Sequence, residues 1–216
     1  MNHPIIIIGA GGHARVIADA LLAAGEKVLG YTDSDRSLQG TAIYGLPVLG
    51  DDSRLCDYSP VEVLLANGMG GVGERGKSTL RSRVQIRLAA QGWRFAAVRH
   101  PTAIVSAFAS LAEGVQLLAA SVVQAGASVG VGAIVNTAAV IEHDVSLGDW
   151  VHVAPGAVLC GNVSIEKFSH IGAGAVVRQG IRLGADTVVA AGAVVVKDFS
   201  GPGLLMGVPA RFFVDK

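Results

Sequence analysis

The chain has 216 residues, 51% of them hydrophobic, and its 17 basic and 17 acidic side chains give a formal net charge of zero. This length allows one large domain or two small ones, and the balanced charge gives no electrostatic reason to expect nucleic acid or an anionic membrane as a partner. No apolar run reaches the roughly 18 residues of a membrane span, and two cysteines form no disulfide framework, so we expect a cytoplasmic protein with reduced thiols.

The N-terminal segment predicts a strand, a glycine-rich turn and a helix. The isoleucines Ile5 to Ile8 run into GAGGHA, and the helical stretch ARVIADALLAAG follows, with Gly25 as its expected C-terminal cap. No basic region precedes the isoleucines, so they are interpreted as a buried strand and not as a signal peptide. Glycines at such a turn let backbone N–H groups approach a phosphate at the positive end of a helix.

A second strand is predicted in KVLGYTDSD, ending on Asp33 and Asp35. An acidic residue about 20 places after the glycine turn commonly binds a ribose hydroxyl. The glycine fingerprint is incomplete, because Ala14 stands where its third glycine is expected, and a full dinucleotide domain needs about twice this length. The segment therefore predicts a half-size fold that holds one nucleotide. A glycine turn that merely packs the helix against the strand is the alternative.

The stretch from Gly71 to Ser78, GVGERGKS, matches the phosphate-loop pattern G-x-x-x-x-G-K-[ST]. A predicted strand, VEVLLAN, precedes it, and a plausible helix, STLRSRVQIRLAAQ, follows. A working phosphate-loop enzyme also needs an acidic residue on another strand to hold Mg²⁺. The next predicted strand, WRFAAVRH, offers none. We therefore interpret the match as a coincidence and expect no hydrolysis of ATP or GTP.

The second half of the chain repeats every six residues. Small or β-branched residues stand four places after the repeated positions. The sixteen repeated positions are all aliphatic: Val105, Leu111, Leu117, Val123, Val129, Val135, Ile141, Leu147, Val153, Leu159, Ile165, Ile171, Val177, Leu183, Val189 and Val195. Period six fits neither a helix nor simple strand alternation. It predicts a triangular coil that turns a corner with an aliphatic side chain inward every six residues. Successive coils then pair as parallel strands, about five coils in all.

The stretch NTAAVIEHD, from Asn136 to Asp144, interrupts this repeat with polar groups. His143 is the third residue of its six-residue unit, so its ring can project from the coil surface. Histidine titrates near neutrality, which suits a general base. A carboxylate beside it, Asp144 or Glu142, can fix its tautomer and raise its basicity. One surface histidine with acidic neighbours can also be incidental, and the residues alone leave that alternative open.

Three motifs together resemble one family: GAGGHA, the VRHPTA link from Val98 to Ala103, and NTAAVIEHD. They are similar to the nucleotide-sugar acetyltransferases that N-acetylate 4-amino-4,6-dideoxy sugars, of the bacillosamine and perosamine type. The repeat and the ending MGVPAR resemble left-handed β-helix acyltransferases in general. The resemblance implies an α/β, half-Rossmann-like nucleotide-sugar-binding domain over residues 1–102. A left-handed parallel β-helix (hexapeptide repeat) acetyltransferase domain of about five coils, with a C-terminal cap, is implied over 103–216.

The resemblance also implies an activity and a set of site residues. The activity is direct transfer of acetyl from acetyl-CoA to the sugar 4-amino group, without a metal, in a homotrimer with active sites between subunits. His143 is expected as general base and Asp144 as its acidic partner, although some relatives carry Glu there. Acetyl-CoA is expected at His152, Gly161, Ala173 and Ala191, and the nucleotide sugar at Gly11, Gly12, His13, Asp33, Gly68 and Asn136. The stretch MGGVGERGKS departs from the shorter loop of the family.

Four alternatives remain open. Sialic acid O-acetyltransferases are close relatives of the family. A γ-type zinc carbonic anhydrase would use His143, His152 and His170, but the closely spaced histidine pair of that ligand set is absent. A nicotinamide-dependent oxidoreductase leaves the coils without a role, and a non-catalytic nucleotide-binding protein would use them for trimerisation. The nucleotide (UDP, GDP or dTDP) and the sugar also stay open.

Overall fold

The computed structural model describes residues 3–70 and 80–213. The described residues form two units, one comprising 3–70 and 80–101 and the other comprising 102–213. The GVGERGKS stretch lies outside the described residues. Within the described ranges, no helix combines the length and apolar character needed to cross a membrane.

A mixed five-stranded sheet organises the first unit, in the order β3-β4-β2-β1-β5. Strand β1 pairs in parallel with β2 on one side and with β5 on the other, while β3 and β4 are antiparallel. The bounds are β1 Ile5–Ile8, α1 Gly12–Ala23, β2 Val28–Thr32, β3 Ala42–Ile43, β4 Leu46–Gly50, β5 Leu64–Asn67, α2 Leu80–Ala89 and β6 Val98–Arg99. Strands β2 and β5 lie on opposite sides of β1, so the strand order changes direction at β1. At such a point a crevice opens at the carboxyl ends of the strands, where sheets of this kind bind ligands.

Burial of β1 and of one face of α1 explains this local structure. All four isoleucines of β1 are buried, as expected of a central parallel strand. The buried residues of α1 recur at helical spacing and face the sheet: Ala14, Ile17, Ala18, Ala20 and Leu21. Ala24 caps the helix, and Gly25 follows with φ at +74°, the left-handed conformation that commonly ends helices.

The second unit is a coil of short parallel strands. Each strand pairs with the one 18 residues later, as Val123 does with Ile141. The strands are β7 Ile104–Val105, β8 Ser110–Leu111, β9 Gln116–Leu117, β10 Val122–Val123, β11 Ser128–Val129, β12 Ile134–Val135, β13 Val140–Ile141, β14 Ser146–Leu147, β15 His152–Val153, β16 Val158–Leu159, β17 Ser164–Ile165, β18 His170–Ile171, β19 Val176–Val177, β20 Arg182–Leu183, β21 Thr187–Val189 and β22 Val194–Val195. An antiparallel hairpin, β23 Gly203–Gly207 with β24 Ala210–Phe213, pairs with β21 and closes the coil.

Three parallel sheets form the sides of the coil. The first contains β7, β10, β13, β16, β19 and β22; the second contains β8, β11, β14, β17 and β20; the third includes β9, β12, β15, β18 and β21. Consecutive strands lie in different sheets, so the chain winds around a common axis. The predicted fold class is confirmed: an α/β unit followed by a left-handed parallel β-helix of about five coils.

Two residues of each six-residue unit fill the interior of the coil. The predicted aliphatic positions from Leu117 to Val195 are at most 3% exposed, whereas Leu111, near the N-terminal end, is 38% exposed. The position four places later is also buried, as at Ala139 and Val145. Large and small side chains thus alternate in a continuous core.

The corners of the coil differ from the prediction. The aliphatic residue occupies the second position of each short strand, and the backbone turns three residues later. There φ is positive, as at Ala120, Gly126, Gly132, Ala138, Asp144, Trp150, Gly156, Asn162, Phe168, Gly174, Gly180, Asp186 and Gly192. The side chain of Asp144, at one of these corners, is 64% exposed, whereas that of Trp150, at the next, is buried.

Candidate active site

His143 and Asp144 occupy a corner between β13 and β14. Asp144 has φ at +59° and donates its backbone N–H to the Ala125 carbonyl one coil earlier, at 3.1 Å. The His143 carbonyl accepts the Asn162 N–H from the next coil at 2.9 Å. Backbone hydrogen bonds on both sides therefore hold this corner in a column with the corners at 125–126 and 161–162.

The structure pairs His143 with Asp144 and not with Glu142. His143 Nδ1 lies 2.9 Å from Asp144 Oδ2, and the two side chains are 58% and 64% exposed. With the carboxylate accepting the Nδ1 proton, the lone pair of a neutral ring resides on Nε2. The hydrogen bond to the carboxylate fixes the orientation of the ring. The geometry is that of an oriented general base.

Gly161 lies directly against the His143 ring. A Cβ at Gly161 would lie 2.6 Å from Cε1 and 3.0 Å from Cδ2 of His143, closer than real side chains approach. Gly126, one coil earlier, lies against the Asp144 side chain in the same way, since a Cβ there would lie 3.3 Å from Asp144 Cγ. Gly161 was predicted from the sequence as a site residue, whereas Gly126 was not. The 18-residue offset from Asp144 could have identified it.

Four other predicted residues lie on another part of the coil. His152 is on β15, and its Nε2 lies 3.2 Å from Asn136 Nδ2. Ala173 and Ala191 are exposed in stacked turns, joined by the Gly192 N–H and the Ala173 carbonyl at 2.9 Å. These turns form a different corner of the triangle from the one that carries His143. The structure thus groups His143, Asp144 and Gly161 in one column, apart from the column of Ala173 and Ala191.

A cavity of about 330 Å³ opens at the carboxyl ends of the strands in the first unit. Its lining comprises Ile8, Gly9, Thr32, Asp33, Ser34, Asp51, Asp52, Ser53, Met69, Leu80 and Val84. Asp33, which was predicted to contact the nucleotide, lines this cavity. Its carboxylate accepts backbone N–H groups from Ala10 at 2.7 Å and from Asp35 at 2.8 Å. Asp33 thus also ties the glycine turn to the end of β2.

The predicted glycines of the first unit fall into two kinds. Gly11 caps α1 and Gly12 begins it, and a Cβ at either would meet no atom of the described residues within 4 Å. Both glycines lie at the N-terminus of the helix, beside His13, where backbone N–H groups can bind an anion. Gly68 differs, because a Cβ there would lie 2.7 Å from both Ala14 Cβ and Ile7 Cγ2. Close packing explains Gly68 without a nucleotide.

The aspartates after β4 were missed by the sequence analysis. Thr32 Oγ donates to Asp52 Oδ1 at 2.9 Å, and Arg87 on α2 forms an ion pair with the other Asp52 oxygen. Asp51 accepts the Ser53 N–H at 2.9 Å, and hydrogen bonds from Ser53 hold the pKa of Asp51 below its usual value. Polar residues directly after a parallel strand could have identified Asp51 and Asp52 as candidates. That inference also requires knowing that β4 lies beside β2, which the sequence does not show.

The histidines considered for zinc do not converge. His152 and His170 are in edge contact, with ring centroids 4.9 Å apart, while His143 lies at a corner. In the ranges 3–70 and 80–213, no group of three or more His, Cys, Asp or Glu residues is arranged to hold a metal ion.

Comparisons with known proteins place this chain among acetyltransferases. A family model described as the PglD N-terminal domain matches residues 4–75. The acetyltransferase domain of PglB from Neisseria gonorrhoeae, solved with acetyl coenzyme A, is 36% identical with a TM-score of 0.90, and the match covers 99% of this chain and 100% of that one. The comparison with curated proteins returned no match.

A second solved structure matches equally well. PerB from Caulobacter crescentus, in complex with CoA and GDP-perosamine, is 36% identical with a TM-score of 0.88, and the match covers 98% of this chain and 97% of that one. WeeI from Acinetobacter baumannii, at 24% identity and a TM-score of 0.84, supports the fold. The chain belongs to the hexapeptide-repeat nucleotide-sugar N-acetyltransferases of the bacillosamine and perosamine type.

Proposed function

We propose that this protein transfers the acetyl group of acetyl-CoA to the 4-amino group of a nucleotide-linked 4-amino-4,6-dideoxy sugar. The observation that carries the proposal is the His143 corner, where Asp144 fixes the Nδ1 proton and leaves Nε2 free to accept another. Relatives matched over nearly their whole length are solved with acetyl coenzyme A, or with CoA and GDP-perosamine. The first unit is assigned to the nucleotide and the coil to acetyl transfer.

The proposed reaction needs no covalent enzyme intermediate. The sugar nitrogen, deprotonated with the help of His143 Nε2, attacks the thioester carbonyl of acetyl-CoA. The carbon–sulfur bond then breaks, the acetyl group remains on nitrogen as an amide, and CoA leaves as a thiolate. Backbone N–H groups would stabilise the oxyanion. Asp144 keeps the imidazole oriented while it carries the proton.

In the first unit, the nucleotide is assigned to Gly11, Gly12, His13 and Asp33. The open N-terminus of α1 supports a phosphate contact, and the cavity beside Asp33 supports the nucleoside. Gly68 contributes by packing against α1, which supports the turn from behind. Asn136 keeps one amide hydrogen for the sugar, because its oxygen accepts the Thr137 N–H and its nitrogen faces His152.

The assembly proposed is a cytoplasmic homotrimer with active sites between subunits. His143 lies at one corner of the triangular coil, whereas Ala173 and Ala191, assigned to acetyl-CoA, lie at another. A neighbouring subunit related by a threefold axis can bring these two corners together. Acetyl-CoA would then contact His152, Ala173 and Ala191 of one subunit and His143 and Gly161 of the next.

Thiol release from acetyl-CoA tests the proposed function. The acceptor panel holds UDP-, GDP- and dTDP-linked 4-amino-4,6-dideoxy sugars, the corresponding 4-hydroxy sugars, and free sialic acid. We expect release with one amino sugar nucleotide, none with its hydroxyl counterpart, and no effect of added ATP. Release with sialic acid alone would replace N-acetylation by O-acetylation. Absence of release with every acceptor would overturn the proposed function.

A further inference from the structure

Two histidine rings and one amide stack on an outer face of the coil. His152 and His170 are register partners on β15 and β18, and their rings meet edge to face at a centroid distance of 4.9 Å and an angle of 67°. Asn136, just after β12, places its amide nitrogen 3.2 Å from His152 Nε2. The function proposed above gives His170 no role and gives Asn136 only a sugar contact.

The Thr137 backbone determines which way the Asn136 amide points. Thr137 N–H donates to Asn136 Oδ1 at 2.8 Å. Because an N–H must face an acceptor, the atom at this position is the amide oxygen, and the NH₂ group faces His152. An NH₂ group can only donate, so His152 Nε2 must present its lone pair. The proton of a neutral His152 ring then resides on Nδ1.

The same hydrogen bond opposes protonation of His152. A proton on Nε2 would face the Asn136 NH₂ group, donor against donor, and the hydrogen bond would be lost. The ring is therefore favoured with its proton on Nδ1 and is poorly suited to act as a base at Nε2. This arrangement differs from His143, where a carboxylate accepts from Nδ1 and leaves Nε2 to receive a proton.

His170 supports this arrangement from the next coil. Its Nδ1 is buried and has no hydrogen-bond partner among residues 3–70 and 80–213, and burial lowers the pKa of the ring. A charged His170 would leave a buried N–H unsatisfied, so the neutral ring is favoured. In the strand register His152 has Ile134 on one side and His170 on the other, and Val188 follows His170. His170 is thus the titratable group that the paired strands present to His152.

We propose that Asn136 and His170 are positioning residues that hold His152 as the neutral Nδ1–H tautomer in one orientation. Asn136 selects the nitrogen that carries the proton, and the edge-to-face contact with His170 limits rotation of the ring. A neutral, oriented N–H suits a group that donates to the thioester carbonyl as negative charge develops there. This last step rests on the proposed function, whereas the tautomer does not.

Histidine side-chain ¹⁵N NMR of the intact protein tests the tautomer directly. Protonated and bare ring nitrogens differ in chemical shift, and the His152→Gln spectrum identifies the resonances of His152. We expect Nδ1–H in the wild-type protein. In Asn136→Asp, a carboxylate replaces the amide donor and can accept from Nε2, so we expect the proton to move to Nε2. An Nε2–H ring in the wild-type protein, or no change in Asn136→Asp, would overturn the proposal.

Kinetics test the role of His170. We expect His170→Ala to lower kcat by roughly 10-fold with little change in KM for the sugar nucleotide, because a loosened ring misplaces its donor. His170→Phe keeps the ring contact and should recover most of that loss. Ser146→Ala, a truncation of similar kind on another face of the coil, is the control and should leave kcat unchanged. Equal losses in His170→Ala and His170→Phe would exclude positioning through the ring contact.

These measurements distinguish the two proposals. If no acceptor supports thiol release, the proposed function fails, and the NMR experiment still decides the tautomer of His152. If release occurs but His152 carries its proton on Nε2, the positioning proposal fails alone. Thermal unfolding of each variant separates loss of activity from loss of fold.

Discussion

At the scale of single residues, the absence of a side chain at Gly161 matters as much as the imidazole of His143. The ring lies over Gly161, so only a glycine leaves His143 in the position that Asp144 orients. The same corner exposes both His143 and Asp144 to water, so the hydrogen bond between them contributes little to stability. The contact between His143 and Asp144 therefore matters for catalysis and not for folding.

Gly161→Ala should impair turnover while preserving the fold. The added methyl would overlap the His143 ring and displace it from its present position, and a misplacement of about 1 Å can cost roughly 100-fold in rate. The measurement is kcat for thiol release, with thermal unfolding in parallel. Gly180→Asn, at the same corner one coil later, is the control, because asparagine tolerates the positive φ there, as Asn162 does one coil earlier. Equal turnover in the two variants would show that the methyl at Gly161 does not displace the ring.

His170 should also make stability depend on pH. Its folded pKa lies below the ordinary value of about 6.5 because the ring is buried. As the pH falls below about 6.5, the unfolded chain binds a proton that folded His170 does not bind, so stability falls with decreasing pH. We expect the drop in Tm between about pH 7.5 and 5.5 to be smaller in His170→Gln than in the wild-type protein. An equal drop in the two proteins would remove this contribution.

At the scale of elements, α1 begins with two glycines, Gly11 and Gly12, that its packing against the other described residues does not require. Gly11 has φ at −74° and ψ at −168°, values that any residue can adopt, and among residues 3–70 and 80–213 neither Gly11 nor Gly12 has a neighbour that excludes a Cβ. Gly68 shows the opposite case, since Ala14 and Ile7 exclude a side chain there. Bare backbone at the start of a helix, without a packing reason, is what an approaching phosphate needs.

Gly12→Leu should weaken nucleotide binding without weakening the protein. Leucine is a better helix former than glycine by about 0.8 kcal/mol, so stability should stay equal or rise. The new side chain would cover the open helix end, and we expect KM for the sugar nucleotide to rise at least roughly 10-fold, about 1.4 kcal/mol of binding. Ala23→Leu, exposed at the other end of α1, is the control with an unchanged KM. An unchanged KM in Gly12→Leu would argue against a ligand at this end.

At the scale of the whole molecule, the sequence predicted the coil well because every part of the repeat is local. From Leu117 to Val195, each six-residue unit contributes one buried Val, Leu or Ile at the same place, so the period in the sequence indicates the coil directly. The first unit was predicted less completely. Asp51 and Asp52 reach the cavity because β4 lies beside β2, and that pairing depends on strand order, which a linear pattern does not encode.

The candidate site was predicted in part for the same reason. The choice of Asp144 over Glu142 as the partner of His143 follows from the left-handed turn at Asp144, which turns its side chain toward the ring. The contact between Asn136 and His152 joins residues 16 apart, close to one full coil, and could have been derived from the 18-residue offset. The period could be read from the sequence, whereas the backbone conformation at single corners, which decides these side-chain contacts, could not.

Mixed assemblies should test the proposed sharing of sites between subunits. His143→Ala and His152→Ala proteins should each be nearly inactive. If a site takes His143 from one subunit and His152 from the next, co-expression of the two variants rebuilds some sites with both histidines. We expect activity in the mixture well above the sum of the separate variants. Activity equal to that sum would place both histidines of a site in one chain.

Steady-state thiol release by the wild-type protein and by His143→Ala, with the amino sugar nucleotide that the panel identifies, tests directly whether His143 is the general base. We expect kcat to fall by roughly 10²- to 10⁴-fold, the usual contribution of a positioned base, while KM for acetyl-CoA changes little. Turnover close to that of the wild-type protein would remove His143 from the mechanism.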